Sequence, residues 1–220
     1  MARKILKKNP NIKFEPKWSG KSIDGRKTTE IIDPKHQSLG LVSEKFSKEM
    51  VRRLTLQGVD DKIVLKAMME VPRHSFVDSA LSSRAYEDIA LPIGYKQTIS
   101  QPYVVARVAS LVRKLTGIVN RDKNNQGKIL EIGTGCGYQA AVMSKCFNNV
   151  YSIERIYGLY EESKKRLSLM NENVSIKFGD GLKGWPEKGP FDAIIFSGSL
   201  EKIPIELLCQ IKIGGVMILA

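Results

Sequence analysis

The residues whose types and spacing are best suited to chemistry lie in the glycine-rich segment 130–138, Leu-Glu-Ile-Gly-Thr-Gly-Cys-Gly-Tyr. Glycines at 133, 135 and 137 remove Cβ atoms where a backbone must approach a ligand, and a helix beginning after them offers unpaired N–H groups. A dinucleotide fingerprint needs its third glycine three residues after the second, and that position is Tyr138. The spacing therefore disfavours NAD and FAD.

The same turn fits S-adenosylmethionine-dependent methyltransferases, which hold a nucleoside and an amino acid but no pyrophosphate. Glu154 strengthens this interpretation, because it ends the next predicted strand, 21 residues after Gly133, where a carboxylate can accept both ribose hydroxyls. Asp180 and Gly181 follow the third predicted strand and can bring a carboxylate to the adenine edge. An isolated Asp-Gly turn would equally well be structural.

A second candidate site lies at the end of the long connection 73–101, and loops of that length in a compact domain are usually functional. Pro102 stands at the first position of a predicted helix, so Gln101 is the cap and Ser100 directly precedes it. A hydroxyl beside unpaired N–H groups at a helix N-terminus forms a receptor for a carboxylate. A serine that only satisfies backbone groups is the structural alternative.

The elements that must position these residues follow from apolar periodicity. Order is expected to begin near Leu41, with one helix ended by Gly58, a second capped by Asp60 and Asp61, and a third over 102–115. Strands are predicted at 128–132, 150–154, 174–178, 191–196 and 216–220, alternating with helices at 138–146, 156–170 and 200–210. This alternation predicts an α/β fold with a mainly parallel, Rossmann-like sheet preceded by a helical subdomain.

Three regions are expected: a basic, flexible extension (1–40), the N-terminal helices and substrate loop (41–127), and the cofactor-binding α/β core (128–220). The chain of 220 residues has a net charge of +12, and residues 1–40 contribute ten basic and four acidic side chains, or +6. Such a tail can attract nucleic acid, although a solvated tail is the simpler interpretation. Three cysteines without Cys-x-x-Cys spacing argue against a disulfide framework and against a zinc site, and for a cytoplasmic location.

Residues 41–220 resemble the protein-L-isoaspartate (D-aspartate) O-methyltransferase family, which repairs aged aspartyl and asparaginyl sites. Six blocks in order carry the resemblance, and the one containing Gln-Thr-Ile-Ser-Gln-Pro is peculiar to this family. The blocks are Pro72 to Val77, Ala90 to Pro102, Leu130 to Tyr138, Ser152 to Glu154, Gly179 to Gly181, and Pro190 to Ile195.

The resemblance implies transfer of a methyl group from S-adenosylmethionine to the free α-carboxylate of isoaspartyl residues in damaged proteins, after which the ester closes to a succinimide. A carboxyl of this type has a pKa of about 3.5 and needs no general base, so alignment and exclusion of water remain as the catalytic task. By position, Ser100 would be the active-site serine, with Thr98 and Ile99 shaping the substrate wall, and no metal is implied. His74 is interpreted as structural. The implied cofactor contacts are Glu131, Gly133, Thr134, Gly135, Gly137, Tyr138, Glu154, Asp180 and Gly181.

The sequence departs from the family pattern at three places. Lys96 stands where the family usually has glycine, which puts the conformation of the substrate loop in doubt, and Cys136 replaces a common serine. The family also continues beyond the strand that ends at Ala220, so an incomplete sheet and reduced stability and activity are expected. A monomer without membrane or nucleic-acid partners is expected. The alternatives are a catalytically inactive module that binds a partner, and a methyltransferase acting on another substrate such as RNA.

Overall fold

The computed structural model describes residues 34–118, 127–170, 172–198 and 200–219. Most of the predicted basic extension therefore lies outside the described residues, as do Ser199 and Ala220. The first helix begins at Pro34, seven residues before the predicted start at Leu41. Among the described residues, no helix is both long and apolar enough to cross a membrane.

Three helices precede the main sheet, and their ends follow local signals. They are α1 (Pro34–Leu56), α2 (Lys62–Glu70) and α3 (Pro102–Thr116). The Asp61 carboxylate caps α2 by accepting the N–H groups of Ile63 at 2.9 Å and Val64 at 3.2 Å. Gly117 ends α3 in the left-handed conformation, at a φ of 67°, where a residue without Cβ is favoured.

The connection between α2 and α3 is more ordered than its weak periodicity predicted. Arg73–Phe76 and Ser79–Arg84 form short 3-10 helices. Strands β1 (Leu91–Pro92) and β2 (Thr98–Ile99) then pair antiparallel and form a small hairpin. This hairpin carries the predicted substrate residues directly to the N-terminus of α3.

The main sheet has five parallel strands in the order β5-β4-β3-β6-β7. The strands are β3 (Lys128–Ile132), β4 (Asn149–Glu154), β5 (Val174–Phe178), β6 (Phe191–Phe196) and β7 (Ile211–Leu219), with helices α4 (Tyr138–Cys146), α5 (Tyr157–Leu169) and α6 (Ile205–Leu208) between them. The strand order reverses beside β3, because β4 lies on one side of it and β6 on the other. Ligands of open α/β sheets bind at such a switch point, outside the carboxyl ends of the strands.

Two predicted elements near the C-terminal end were wrong in extent. The helix predicted over 200–210 is only the single turn of α6, which begins after Pro204, since the residue before a proline is disfavoured in helical conformation. Strand β7 begins at Ile211 rather than at 216, and its pairing with β6 is irregular between Phe191 and Ala193. Two glycines, Gly214 and Gly215, interrupt the apolar run and hid the first half of this strand.

Candidate functional site

A cavity of about 920 Å³ opens at the carboxyl ends of the strands, at the switch point of the sheet. Its walls come mainly from two parts of the chain, and Val105 of α3 adds to them. The hairpin contributes residues 97–100, and the turns after β3, β4, β5 and β6 contribute the opposite side. The two candidate sites of the sequence analysis, the glycine turn and the serine loop, therefore face one space.

The turn after β3 requires glycine at two cavity-lining positions. Gly133 has a φ of 94°, and a Cβ on it would lie 2.7 Å from the carbonyl oxygen of Ser197. Gly135 has a φ of 56°, and a Cβ there would lie 3.3 Å from Cδ1 of Ile93 in the hairpin segment. The turn thus keeps its backbone bare toward the cavity and lets the hairpin approach closely.

Glu154, at the end of β4, is 4% exposed and hydrogen-bonded through both carboxylate oxygens. It accepts the N–H of Gly135 at 2.8 Å and the N–H of Ile156 at 2.8 Å. The carboxylate therefore holds the glycine turn in place while it lines the cavity. Each oxygen keeps further acceptor capacity, which suits a pair of ribose hydroxyls.

Gly137 and Tyr138 contribute to packing around the glycine turn. Gly137 does not line the cavity; a Cβ on it would lie 3.1 Å from Cδ1 of Leu167 in α5, so its role is close packing of the turn on that helix. Tyr138 belongs to the lining but is 1% exposed, and its ring lies edge-on to Phe76 at 5.3 Å between centroids. Burial raises the pKa of the Tyr138 hydroxyl above its usual range.

Glu131 lies on β3 at the floor of the cavity and is completely buried. Its carboxylate accepts a hydrogen bond from the Ser152 hydroxyl at 2.5 Å and one from Gln139 Nε2 at 3.0 Å. Gln139 Nε2 also donates to the Ser197 hydroxyl at 3.0 Å. Burial without a cationic partner raises the pKa of Glu131 to about 7.

Sequence reasoning assigned no role to Ser152, Gln139 and Ser197, which complete this network. One signal was available for Gln139, since it is one of two polar side chains, with Ser144, that are buried on α4. A buried polar side chain must find partners, and a neighbouring strand glutamate is a natural one.

Asp180 and Gly181 also line the cavity, at the end of β5. Asp180 Oδ1 accepts the N–H of Leu182 at 3.0 Å, and so caps a short 3-10 helix. A Cβ on Gly181 would collide with Ile132, so this glycine permits the turn to pack on β3. Asp180 and Gly181 therefore form a structural Asp-Gly turn and also line the cavity.

Ser100 is half-buried and lines the cavity together with exposed Thr98 and buried Ile99. The predicted carboxylate receptor at the N-terminus of α3 is partly occupied already, because Asp88 Oδ1 accepts the N–H of Tyr103 at 3.0 Å. The cause is local, because Pro102 has no N–H and Asp88 from the preceding loop accepts the N–H of the next residue, Tyr103. Ser100 therefore faces the cavity beside a helix terminus that is partly capped.

The doubt about Lys96 is resolved by the turn of the hairpin. Tyr95 and Lys96 both adopt left-handed backbone, at φ values of 51° and 58°. The turn closes through the Gln97 N–H, which donates to the Gly94 carbonyl at 2.8 Å. Lys96 therefore adopts a left-handed conformation that strains a residue with a Cβ, whereas glycine would adopt it without strain.

His74 lies away from the cavity, whereas Cys136 belongs to its lining. Nδ1 of His74 is 2.8 Å from the Tyr86 hydroxyl, and burial lowers the pKa of this imidazole, in keeping with a structural interpretation. Cys136 is buried, and its carbonyl accepts Arg166 Nη1 at 2.7 Å. Among the described residues, no group of three or more His, Cys, Asp or Glu side chains is arranged to hold a metal ion.

The sheet order, the glycine turn after β3 and the acidic residue after β4 define a Rossmann-like methyltransferase fold. The model of the protein-L-isoaspartate (D-aspartate) O-methyltransferase family matches residues 44–220 of the chain. The chain belongs to this family, which confirms the resemblance drawn from the six sequence blocks.

Relatives in the family are similar over most of their length. The chain is 48% identical over 185 residues to a protein-L-isoaspartate O-methyltransferase of Nitrosomonas eutropha, covering 84% of this chain and 81% of the relative. It is 49% identical over 173 residues to the protein of that name from Photorhabdus laumondii, covering 78% and 79%.

Solved structures agree with the fold. A protein-L-isoaspartate O-methyltransferase structure superposes with a TM-score of 0.67 and 32% identity, and the match covers 78% of this chain but only 54% of that one. A Plasmodium falciparum structure described as a putative protein-L-isoaspartate O-methyltransferase, in complex with S-adenosyl-L-homocysteine, has a TM-score of 0.64 at 22% identity and covers 79% and 84%.

Proposed function

We propose that the chain methylates the free α-carboxylate of L-isoaspartyl and D-aspartyl residues in damaged proteins, with S-adenosylmethionine as methyl donor. Membership of the family supports the reaction. One observation supports assigning the reaction to particular residues: Ser100, the glycine turn and Glu154 all line the same cavity. Both halves of a transfer site are thereby brought together.

The residues present fit the cofactor. Bare backbone at Gly133 and Gly135 admits a ligand close to β3, and the Glu154 and Asp180 carboxylates offer acceptors for hydroxyl and amine groups. When bound, S-adenosylmethionine would supply a methyl group on a positively charged sulfur, so that formation of the oxygen–methyl bond would be matched by breaking of the sulfur–methyl bond, with a neutral thioether as the leaving group. The cofactor-contacting set is Glu131, Gly133, Thr134, Gly135, Glu154, Asp180 and Gly181.

The protein's own contribution is positioning. The substrate carboxylate is ionised at neutral pH, since an α-carboxyl has a pKa of about 3.5, and no base is needed to activate it. Correspondingly, no His, Lys or carboxylate in the described part of the chain hydrogen-bonds the Ser100 hydroxyl. This hydroxyl can therefore donate to the substrate carboxylate and fix its direction, while buried Ile99 and Val105 in the cavity wall limit the access of water.

The test is methyl transfer from labelled S-adenosylmethionine to an isoaspartyl peptide beside its aspartyl twin. We expect transfer to the isoaspartyl peptide alone. Ser100→Ala should lower kcat/KM about tenfold or more, the usual effect of losing a hydrogen bond to a charged group, with cofactor affinity unchanged. Ser110→Ala is the matched control, since Ser110 is a half-buried serine within α3 and away from the cavity. Transfer to neither peptide would reject the proposal, and transfer to RNA would favour the alternative substrate class.

Two finer statements accompany the proposal. Because the described residues of one chain line the cavity, we propose that the protein acts as a monomer. Cys136 and Cys146 are buried free thiols and Cys209 is an exposed one, which supports a reducing, cytoplasmic location.

A further inference from the structure

Arg73 is a fully buried arginine that the proposed chemistry does not use. It lies in the 3-10 helix between α2 and the hairpin and is 0% exposed. Among the described residues, no carboxylate lies within ion-pair distance of its guanidinium. Burial lowers its pKa, as expected for a cation removed from water. Removing an unpaired cation from water is strongly unfavourable, so the contacts that hold Arg73 in the core require an explanation.

The contacts of Arg73 converge on the substrate loop. Nη2 donates to the main-chain carbonyl of Ser100 at 2.6 Å, and Nε donates to the carbonyl of Ala85 at 2.7 Å. Charge-assisted bonds of this length are stronger than neutral ones, and the planar guanidinium fixes both acceptors in one plane. Arg73 therefore ties the residue proposed to meet substrate to the segment that precedes the hairpin.

The same guanidinium lies over the residue that follows the glycine turn. Its central carbon is 4.7 Å from the centroid of the Tyr138 ring, within the range of a cation–π contact. Tyr138 is the first residue of α4, so its position is set by the turn that lines the cofactor side of the cavity. One side chain thus contacts both halves of the site.

We infer that Arg73 is a positioning residue: because its guanidinium binds the Ser100 carbonyl and also lies over the Tyr138 ring, it sets the distance between the substrate loop and the cofactor turn. This inference rests on the proposed function for its kinetic consequence. Alignment is the main catalytic task here, and a displacement of about 1 Å can lower a rate about 100-fold. A residue that fixes this distance should affect turnover more than the affinity for either ligand.

The test compares Arg73→Lys and Arg73→Gln with Arg113→Lys. Arg113 is the matched control, because it is also a buried arginine, 5% exposed, but pairs with Asp61 at 2.7 Å between α2 and α3, away from the cavity. We expect both Arg73 variants to lower kcat at least tenfold, with less than threefold change in KM for peptide and cofactor. Arg113→Lys should lose stability while retaining kcat.

A second measurement does not depend on activity. Lys96 is exposed in the turn of the hairpin, so trypsin cleavage after it reports how firmly the hairpin is held. We expect cleavage at Lys96 to accelerate at least fivefold in the Arg73 variants, relative to other sites, and to stay unchanged in Arg113→Lys. Should the wild type transfer no methyl group, the proposed function fails, while the cleavage result still decides whether Arg73 holds the loop.

The opposite results are equally clear. Arg73 variants that lose stability as Arg113→Lys does, but keep both kcat and the rate of cleavage at Lys96, would overturn the inference and leave Arg73 as a core residue. Arg73→Gln removes the buried charge and retains an amide donor. Since no cation is then buried, this variant should fold even where Arg73→Lys does not.

Discussion

We expect Glu131 to make the stability of this fold depend on pH. It is fully buried, its hydrogen bonds come from neutral side chains, and burial raises its pKa to about 7. In the unfolded chain the same carboxyl titrates at its ordinary value of 4.5. Between these two values the folded protein binds a proton that the unfolded chain does not bind. Stability should therefore fall as the pH rises through this window.

The size of the effect follows from the two pKa values. A shift of one unit corresponds to about 1.4 kcal/mol, so a shift from 4.5 to about 7 corresponds to about 3 kcal/mol between the acidic and neutral limits. Most of this, about 2–3 kcal/mol, is lost between pH 5 and pH 8. Glu131→Gln has nearly the same shape and carries no titrating proton, so this contribution to pH dependence should disappear.

The assay is urea unfolding of the wild type and Glu131→Gln at pH 5, 6, 7 and 8. We expect the variant to gain stability relative to the wild type by about 2–3 kcal/mol across this range, since His74 and the other titrating groups contribute equally to both proteins. Profiles that stay parallel from pH 5 to pH 8 would refute the reasoning, because Glu131 would then not change its protonation there.

Two further predictions concern stability. Lys96→Gly should stabilise the protein by about 1 kcal/mol, because the left-handed backbone at φ 58° strains a residue with a Cβ; urea midpoints measure this, and Lys96→Ala should show no such gain. Asp61→Ala should destabilise by about 3 kcal/mol, since it removes both the cap of α2 and the carboxylate paired with buried Arg113. Exposed Asp60 is its control, and equal small losses for the two alanine variants would contradict the assignment.

The parallel sheet was predictable because its signals are local. Strands β3, β5 and β6 lie within the bounds expected from short apolar runs between turn residues. The cavity followed from the same logic, since the carboxyl ends of parallel strands meet at one edge. Helix α6 and the start of β7 were misjudged, because Pro204 and the Gly214-Gly215 pair change the local preference within a single residue or two.

The contacts inside the site depend on long-range packing, which no local pattern reveals. Arg73 meets the Ser100 carbonyl across 27 positions of sequence, and Gln139 meets Ser197 across 58. The loop residue Asp88 similarly caps α3, although spacing alone left the terminus of that helix open. Residue types predict which groups can do chemistry, whereas partners of this kind become visible only when the chain is folded.

The glycine turn after β3 borders both the cavity and the hairpin, which explains why it requires glycine. On the cavity side its bare backbone leaves room for a ligand, and on the hairpin side Ile93 rests against Gly135. The hydroxyl of Tyr95 meets Gly158 at the start of α5, where any Cβ would collide with it. The hairpin therefore lies on two glycines of the α/β core, while Arg73 holds its far end at Ser100. Because the proposed reaction needs no base, we expect the catalytic rate to depend mainly on how precisely the hairpin is positioned against the α/β core.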